Sequence, residues 1–314
     1  MTLAGARVLV TGGAGFLGRH VVARVRASGC RDVVVPRRAS CDLTRAADVA
    51  RLFAERFDVV LHLAADVGGI AYNLASPGAI FYRNVMMNTL VMEHARQAGV
   101  GKFVALGSIC AYPERARVPF HESELWNGYP EPSNGPYGIA KKTMLVQGQA
   151  YRAQYGFPVV HLLMMNLYGP GDHFDAARSH VIAALVARLV EAAAANAPEV
   201  VVWGDGLATR EFLYVEDAAR GICLAAERYD GVEPVNLGAG FEISIRELAA
   251  LIAELTGYKG RLVFDAGKPS GQRRRCADVS VARREFGFEA TVGLREGLTR
   301  TIEWYVRERA AAAR

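Results

Sequence analysis

The chain has 314 residues, 51% of them hydrophobic and 22% charged, with 32 glycines and a formal net charge of +5. That length holds one large or two modest domains around a real core, and the composition excludes a disordered or collagen-like chain. Lys and Arg are spread along the sequence, Arg273-Arg274-Arg275 being the one dense group, which argues against a nucleic-acid surface and suits a basic cleft for a small anion.

No apolar run reaches the roughly 18 residues that a membrane helix needs. The opening MTLAGARVLVTGG runs directly into a strand-turn motif and does not read as a signal peptide. Cys30, Cys41, Cys110, Cys223 and Cys276 have no paired spacing. An odd, scattered set suggests reduced thiols and a cytoplasmic chain. The histidines do not cluster with carboxylates or cysteines, so no metal is expected.

The first elements carry the clearest signal. Residues 7–11, RVLVT, read as a strand, followed by Gly12, Gly15 and Gly18 and then a helical stretch to Gly29. This spacing lets the chain turn tightly, brings backbone amides to a pyrophosphate and seats the helix on the sheet. Gly12, Gly15, Phe16, Leu17 and Gly18 are therefore expected to bind a dinucleotide. DVVVP (32–36), DVVLHLAA (58–65), KFVALGS (102–108) and PVVHLLMMN (158–166) follow as strand-like runs with helical segments between them. Such alternation predicts a doubly wound parallel sheet of the Rossmann type. The second strand runs into Arg37 and Arg38, where an NAD enzyme would place a carboxylate; two arginines suit a 2′-phosphate, so NADP is expected. Asp42 stands where a carboxylate can meet the adenine amino group. Leu63, Ala64 and Ala65 after the third strand, and Asn166 after the fifth, complete the expected cofactor contacts.

The segment NGPYGIAKK (134–142) holds Tyr137 and Lys141 at i and i+4, on one face of a helix. The lysine charge, together with that of the nicotinamide, is expected to lower the phenol pKa, so that the tyrosine can exchange a proton with a carbonyl oxygen. Ser108, at the end of the fourth strand, would hold that oxygen. Two residues further on stands Cys110, in LGSICAYP (106–113). From about residue 167 the alternation loosens into a smaller substrate-binding part. The expected division is 1–166 for the cofactor and 167–314 mainly for the substrate, with some later segments returning to the first unit.

The glycine loop, the serine and the Tyr-Lys pair together resemble the extended short-chain dehydrogenase/reductase family. The blocks LAADVGGIAYN, GSICAYP, NLYGPGDHF, SHVIAALVARL, NAPEVVVWGDG and REFLYVEDAA keep the order seen in its GDP-L-fucose synthase branch. That resemblance implies an NADP-dependent enzyme that inverts C3 and C5 of a GDP-4-keto-6-deoxy-hexose and reduces its C4 ketone. It further implies Cys110 and His180 as the base and acid of inversion, and Ser108, Tyr137 and Lys141 as the reduction set. Arg188, Trp203, Arg210 and Lys268 would contact the nucleotide and its diphosphate, because a guanidinium fork can bind two oxygens at once. Relatives of this kind are commonly homodimers packed through helices of the first domain. The alternative is an epimerase-only or reductase-only enzyme on another NDP-4-keto sugar or an NDP-heptose. Asp66, in LAADVGGI, departs from the resemblance and is expected to turn its charge toward cofactor or substrate. The basic run GQRRRC (271–276) is a second departure.

Overall fold

The computed structural model describes residues 1–175, 179–268 and 272–312. In chain order the first half runs β1 (Arg7–Thr11), α1 (Phe16–Ala27), β2 (Asp32–Val34), α2 (Ala46–Leu52), β3 (Val59–His62), α3 (Ile70–Ala75), α4 (Pro77–Gln97), β4 (Lys102–Ser108), α5 (Gly135–Tyr155) and β5 (Val159–Met164). The second half continues with β6 (Asn166–Tyr168), α6 (Val181–Ala194), β7 (Glu199–Trp203), β8 (Thr209–Arg210), β9 (Phe212–Tyr214), α7 (Val215–Arg228) and β10 (Val235–Leu237). It closes with β11 (Ile243–Ser244), α8 (Ile245–Thr256), β12 (Arg261–Asp265), β13 (Arg274–Arg275), α9 (Ser280–Phe286) and α10 (Leu294–Ala312).

The central sheet has the order β10-β5-β4-β3-β1-β2, with every pairing parallel. Its strands are continuous apolar runs because both faces are covered by helices. Successive residues serve opposite faces: Val8 and Val10 join the layer of α1 and α7, while Leu9 joins that of α4 and α5. From β1 the chain moves outward to β2 and then returns past β1 to β3. The order therefore reverses between β1 and β3, and the crevice beyond their carboxyl ends is where such sheets take ligands.

The second half builds its own core from α6, β7, α8 and α10, around Leu185, Leu189, Val200, Ile252 and Leu298. It also sends segments back. β10 joins the central sheet beside β5, and α7 contributes Ala218 and Ile222 to the same core layer as Val21 and Val25 of α1. Three small sheets remain among the described residues of the second half: β12-β7, β6-β9, and β11-β8-β13 with β8 in the middle. Among the described residues, no helix is long and apolar enough to cross a membrane.

Candidate active site

At the end of β1 the chain is packed to the limit of backbone contact. A Cβ on Gly12, whose φ is +69°, would lie 2.8 Å from the Ala64 nitrogen, and one on Gly18 only 2.1 Å from the Gly12 oxygen. Only glycine fits either position. α1 then begins at Phe16 with Gly15 as N-cap and no side-chain cap, so its first N–H groups are turned to an outside acceptor. Beside this turn Leu63 donates to the Thr11 carbonyl at 3.2 Å and Ala64 to Thr11 Oγ1 at 3.3 Å, which draws the loop after β3 onto the glycine loop. A backbone cradle at an uncapped helix start, on the reversal point of the sheet, fits a dinucleotide pyrophosphate.

Arg37 and Arg38 lie exposed beyond β2. Asp42 has a local partner: its Oδ1 accepts from the Thr44 N–H at 3.0 Å and the Thr44 hydroxyl at 2.7 Å. Those bonds hold its carboxyl below the usual range, with Arg38 adding a smaller effect. Asn166 begins β6 and donates from Nδ2 to the Glu211 carbonyl at 2.9 Å.

Ser108, Cys110, Tyr137 and Lys141 come together at the end of β4. Ser108 caps the 3₁₀ turn Ile109–Ala111, its Oγ accepting from the Cys110 N–H at 3.2 Å. α5 lies against that turn so closely that a Cβ on Gly138 would be 2.3 Å from the Cys110 carbonyl oxygen. Gly138 is thus what lets Tyr137, one residue before it, reach Ser108. The phenol is buried and hydrogen-bonded by the Ser108 side chain.

In the protein alone the phenol does not sit below its ordinary range. Burial pushes it well above the ordinary tyrosine value, and the charge that Cys110 can carry adds to this. Lys141 does not offset that burial: its Nζ sits 5.7 Å from the Tyr137 ring centroid and donates to the Leu106 carbonyl at 2.7 Å. Burial brings Lys141 itself down to about 8.

His180 is placed by a separate element, at the N-cap of α6. The preceding carbonyl, of Ser179, lies 3.4 Å from where a Cβ on Gly69 would stand. The imidazole is open to solvent yet walled by protein, which lowers its pKa, and His173 lowers it further. Arg188 reaches from α6 to the Val201 carbonyl at 2.9 Å. Trp203, at the end of β7, is 57% exposed with the Lys268 ammonium 5.9 Å from its ring centroid. Arg210 is strongly desolvated and drawn down to about 10, burial being the larger cause and Arg275 the second.

Asp66 departs from expectation. Its carboxylate accepts from Arg83 at 2.9 Å and from the Tyr72 hydroxyl at 2.8 Å, while Asn84 holds its backbone on both sides. The charge is paired within the protein.

Three further features escaped the sequence reading. Glu211 is fully buried and accepts from the Ala239 and Gly240 N–H groups on Oε1 and from the Ala277 N–H on Oε2, tying three segments together. Arg275 comes to Cys110, with Nη1 3.9 Å from Sγ; only its basic run had marked it. Finally, Ala64 N–H, Thr11 Oγ1, His62 and Asn88 form a buried chain that ends on the Ala140 carbonyl beside Lys141. No local pattern marks Glu211 or the buried chain. Among the described residues no group of three or more His, Cys, Asp or Glu is gathered to hold a metal ion.

A dinucleotide cradle joined to a Ser-Tyr-Lys set at the adjacent strand end defines a nicotinamide-dependent enzyme of the epimerase and reductase type. The chain belongs to the NAD dependent epimerase/dehydratase family, whose model matches residues 8–238. Within it, the chain is 42% identical over 304 residues to Probable GDP-L-fucose synthase 1 of Oryza sativa subsp. japonica, covering 96% of this chain and 92% of that one. To GDP-L-fucose synthase of Escherichia coli (strain K12) it is 40% identical over 310 residues, with 96% of each covered. Among solved structures, a GDP-L-fucose synthetase from Naegleria fowleri bound to NADP superposes with a TM-score of 0.89 at 28% identity, covering 100% of this chain and 98% of that one.

Proposed function

We propose that this enzyme inverts C3 and C5 of a GDP-4-keto-6-deoxy-hexose and reduces its C4 ketone with NADPH, giving GDP-L-fucose or a close relative. The observation that carries this reading is the convergence of Ser108, Cys110 and Tyr137 on one strand end. Two hydroxyls for a carbonyl oxygen stand beside a sulfur that can address the carbon next to it.

Each inversion needs a base on one face of the sugar and an acid on the other. Both carbons flank the ketone, so loss of a proton places charge on the C4 oxygen. Ser108 and Tyr137 donate to that oxygen as the charge develops. Cys110, as thiolate, takes the proton from carbon, and His180 returns one from the opposite face. NADPH, when bound, would supply the hydride for C4. Tyr137 then gives its proton to the C4 oxygen, and the Lys141 charge favours the phenolate left behind. The glycine loop and Leu63, Ala64, Ala65 and Asn166 would hold the cofactor, and Arg37 and Arg38 its 2′-phosphate. Arg188, Trp203, Arg210 and Lys268 hold the nucleotide and its diphosphate.

The enzyme acts as a homodimer in the cytoplasm. The dimer reading draws on exposed Phe81 and Tyr82 of α4 and Val146 and Tyr155 of α5, and the compartment on five unpaired cysteines. Incubation with GDP-4-keto-6-deoxy-mannose and NADPH tests the activity. Stoichiometric NADPH oxidation with a C3/C5-inverted sugar product is expected; reduction without inversion, or no turnover, would refute the reading.

A further inference from the structure

We propose that Arg275 is a positioning residue for Cys110: its guanidinium is a fixed counter-ion that keeps the sulfur available as an anion and aims it into the site. The inference rests on the reading of Cys110 as the base of inversion.

The contact is built from far away in sequence, Nη1 approaching Sγ at 3.9 Å across 165 residues. Arg275 is held on its side chain and along its strand. Its Nε donates to Gln272 Oε1 at 2.9 Å, and Gln272 is anchored through Nε2 to the Glu114 carbonyl at 2.8 Å. The backbone just beyond is fixed on two sides: the Cys276 carbonyl accepts from the Phe120 N–H at 2.7 Å, and the Ala277 N–H donates to buried Glu211 at 2.7 Å. The strand is fixed as well, since β13 pairs in parallel with β8 and sets Arg275 directly opposite Arg210. Register partners on neighbouring strands point to one face. The two guanidiniums therefore share the face turned to Cys110, while Arg274 and Thr209, one residue back, share Glu242 on the other.

The charges around the sulfur are Arg275 from β13, with Arg210 behind it on β8, the Tyr137 phenol from α5, and Glu131 from the segment before α5, within electrostatic reach of Arg275. A thiolate beside a half-buried cation is stabilised much more than one in water, because the pair is poorly screened. The fork is needed as well as the charge: Nε is committed to Gln272 while Nη1 faces Cys110. An ammonium could keep the charge but not make both contacts.

The first test uses the free, full-length enzyme and needs no substrate. Iodoacetamide labelling of Cys110 is followed across pH on the tryptic peptide Phe103–Arg115, which contains no other cysteine. In Arg275→Gln the labelling rate at pH 7 is expected to fall about tenfold, converging with the unmodified enzyme at high pH, as loss of a cation at this distance implies. Arg275→Lys, which preserves charge and guards against a misfolded Gln variant, should lie between them. The second readout is deuterium uptake at C3 and C5 of GDP-4-keto-6-deoxy-mannose in D₂O, expected to follow the same order while NADPH binding is unchanged. Identical labelling profiles in all three proteins would overturn the role of Arg275 alone. No deuterium uptake by the unmodified enzyme, whatever the labelling, would overturn the base role of Cys110 and the proposed function with it.

Discussion

Tyr137 holds its proton tightly. Burial raises the phenol well above its ordinary range, and no charge in the protein brings it back. Such a group gives up its proton only to an oxygen that is itself gaining charge, which suits an acid for ketone reduction. Replacing Tyr137 with Phe should slow NADPH-dependent reduction by about 10²–10⁴-fold, with NADPH affinity, read by fluorescence titration, unchanged. Near-normal turnover would mean that the proton comes from elsewhere. Lys141 adds a pH signature. With its pKa lowered to about 8 by burial, it is charged below that pH and neutral above it. The reduction rate should therefore fall as pH rises through about 8, and Lys141→Met should remove that alkaline limb along with most of the activity.

At the scale of elements, β4 is the spine of the site, and its two neighbours carry buried histidines. His62 on β3 and His161 on β5 are both lowered to about 3, by burial first and by the Lys141 charge second. In the unfolded chain they take up protons near the ordinary value of about 6.5, which the folded protein resists. Their neutral forms cost nothing above that pH, and stability drains away as pH falls from about 6.5 toward 3. A plot of Tm against pH should decline over that window, and His161→Leu should flatten it; an unchanged slope would show that acid sensitivity arises elsewhere. Five strands of this sheet, β1 to β5, were legible because each is an apolar run; β10, three residues long, was not read. The two-residue strands β8, β11 and β13 were not, since a pair of residues has no periodicity to read. Arg275 belongs to one of them, so the sequence offered only a basic run where the structure has a register partner of Arg210. Asp66 failed for a related reason: Arg83 lies 17 residues away, and only the fold of α4 against the β3 loop brings it close.

For the whole molecule, the halves are interwoven rather than strung in series. The cofactor cradle and the Ser-Tyr-Lys set come from the first half and were readable from motifs, because each is local to one turn or one helix. β10 returns to the central sheet, Glu211 pins the β10 and β13 loops to the end of β8, and that pinning delivers Arg275 to Cys110. Long-range bonds of this kind leave no mark in local sequence. In the proposed reaction one strand end performs both inversion and reduction, with Cys110 serving the carbon and Ser108 and Tyr137 the oxygen. Deuterium uptake from D₂O tests it most directly, comparing the unmodified enzyme with Cys110→Ser on GDP-4-keto-6-deoxy-mannose. The unmodified enzyme should place deuterium at C3 and C5, while the serine variant, lacking a usable anion near neutral pH, should largely fail to do so yet still oxidise NADPH. Deuterium entering both carbons at the same rate in the two proteins would remove the base role of Cys110 and leave it as packing.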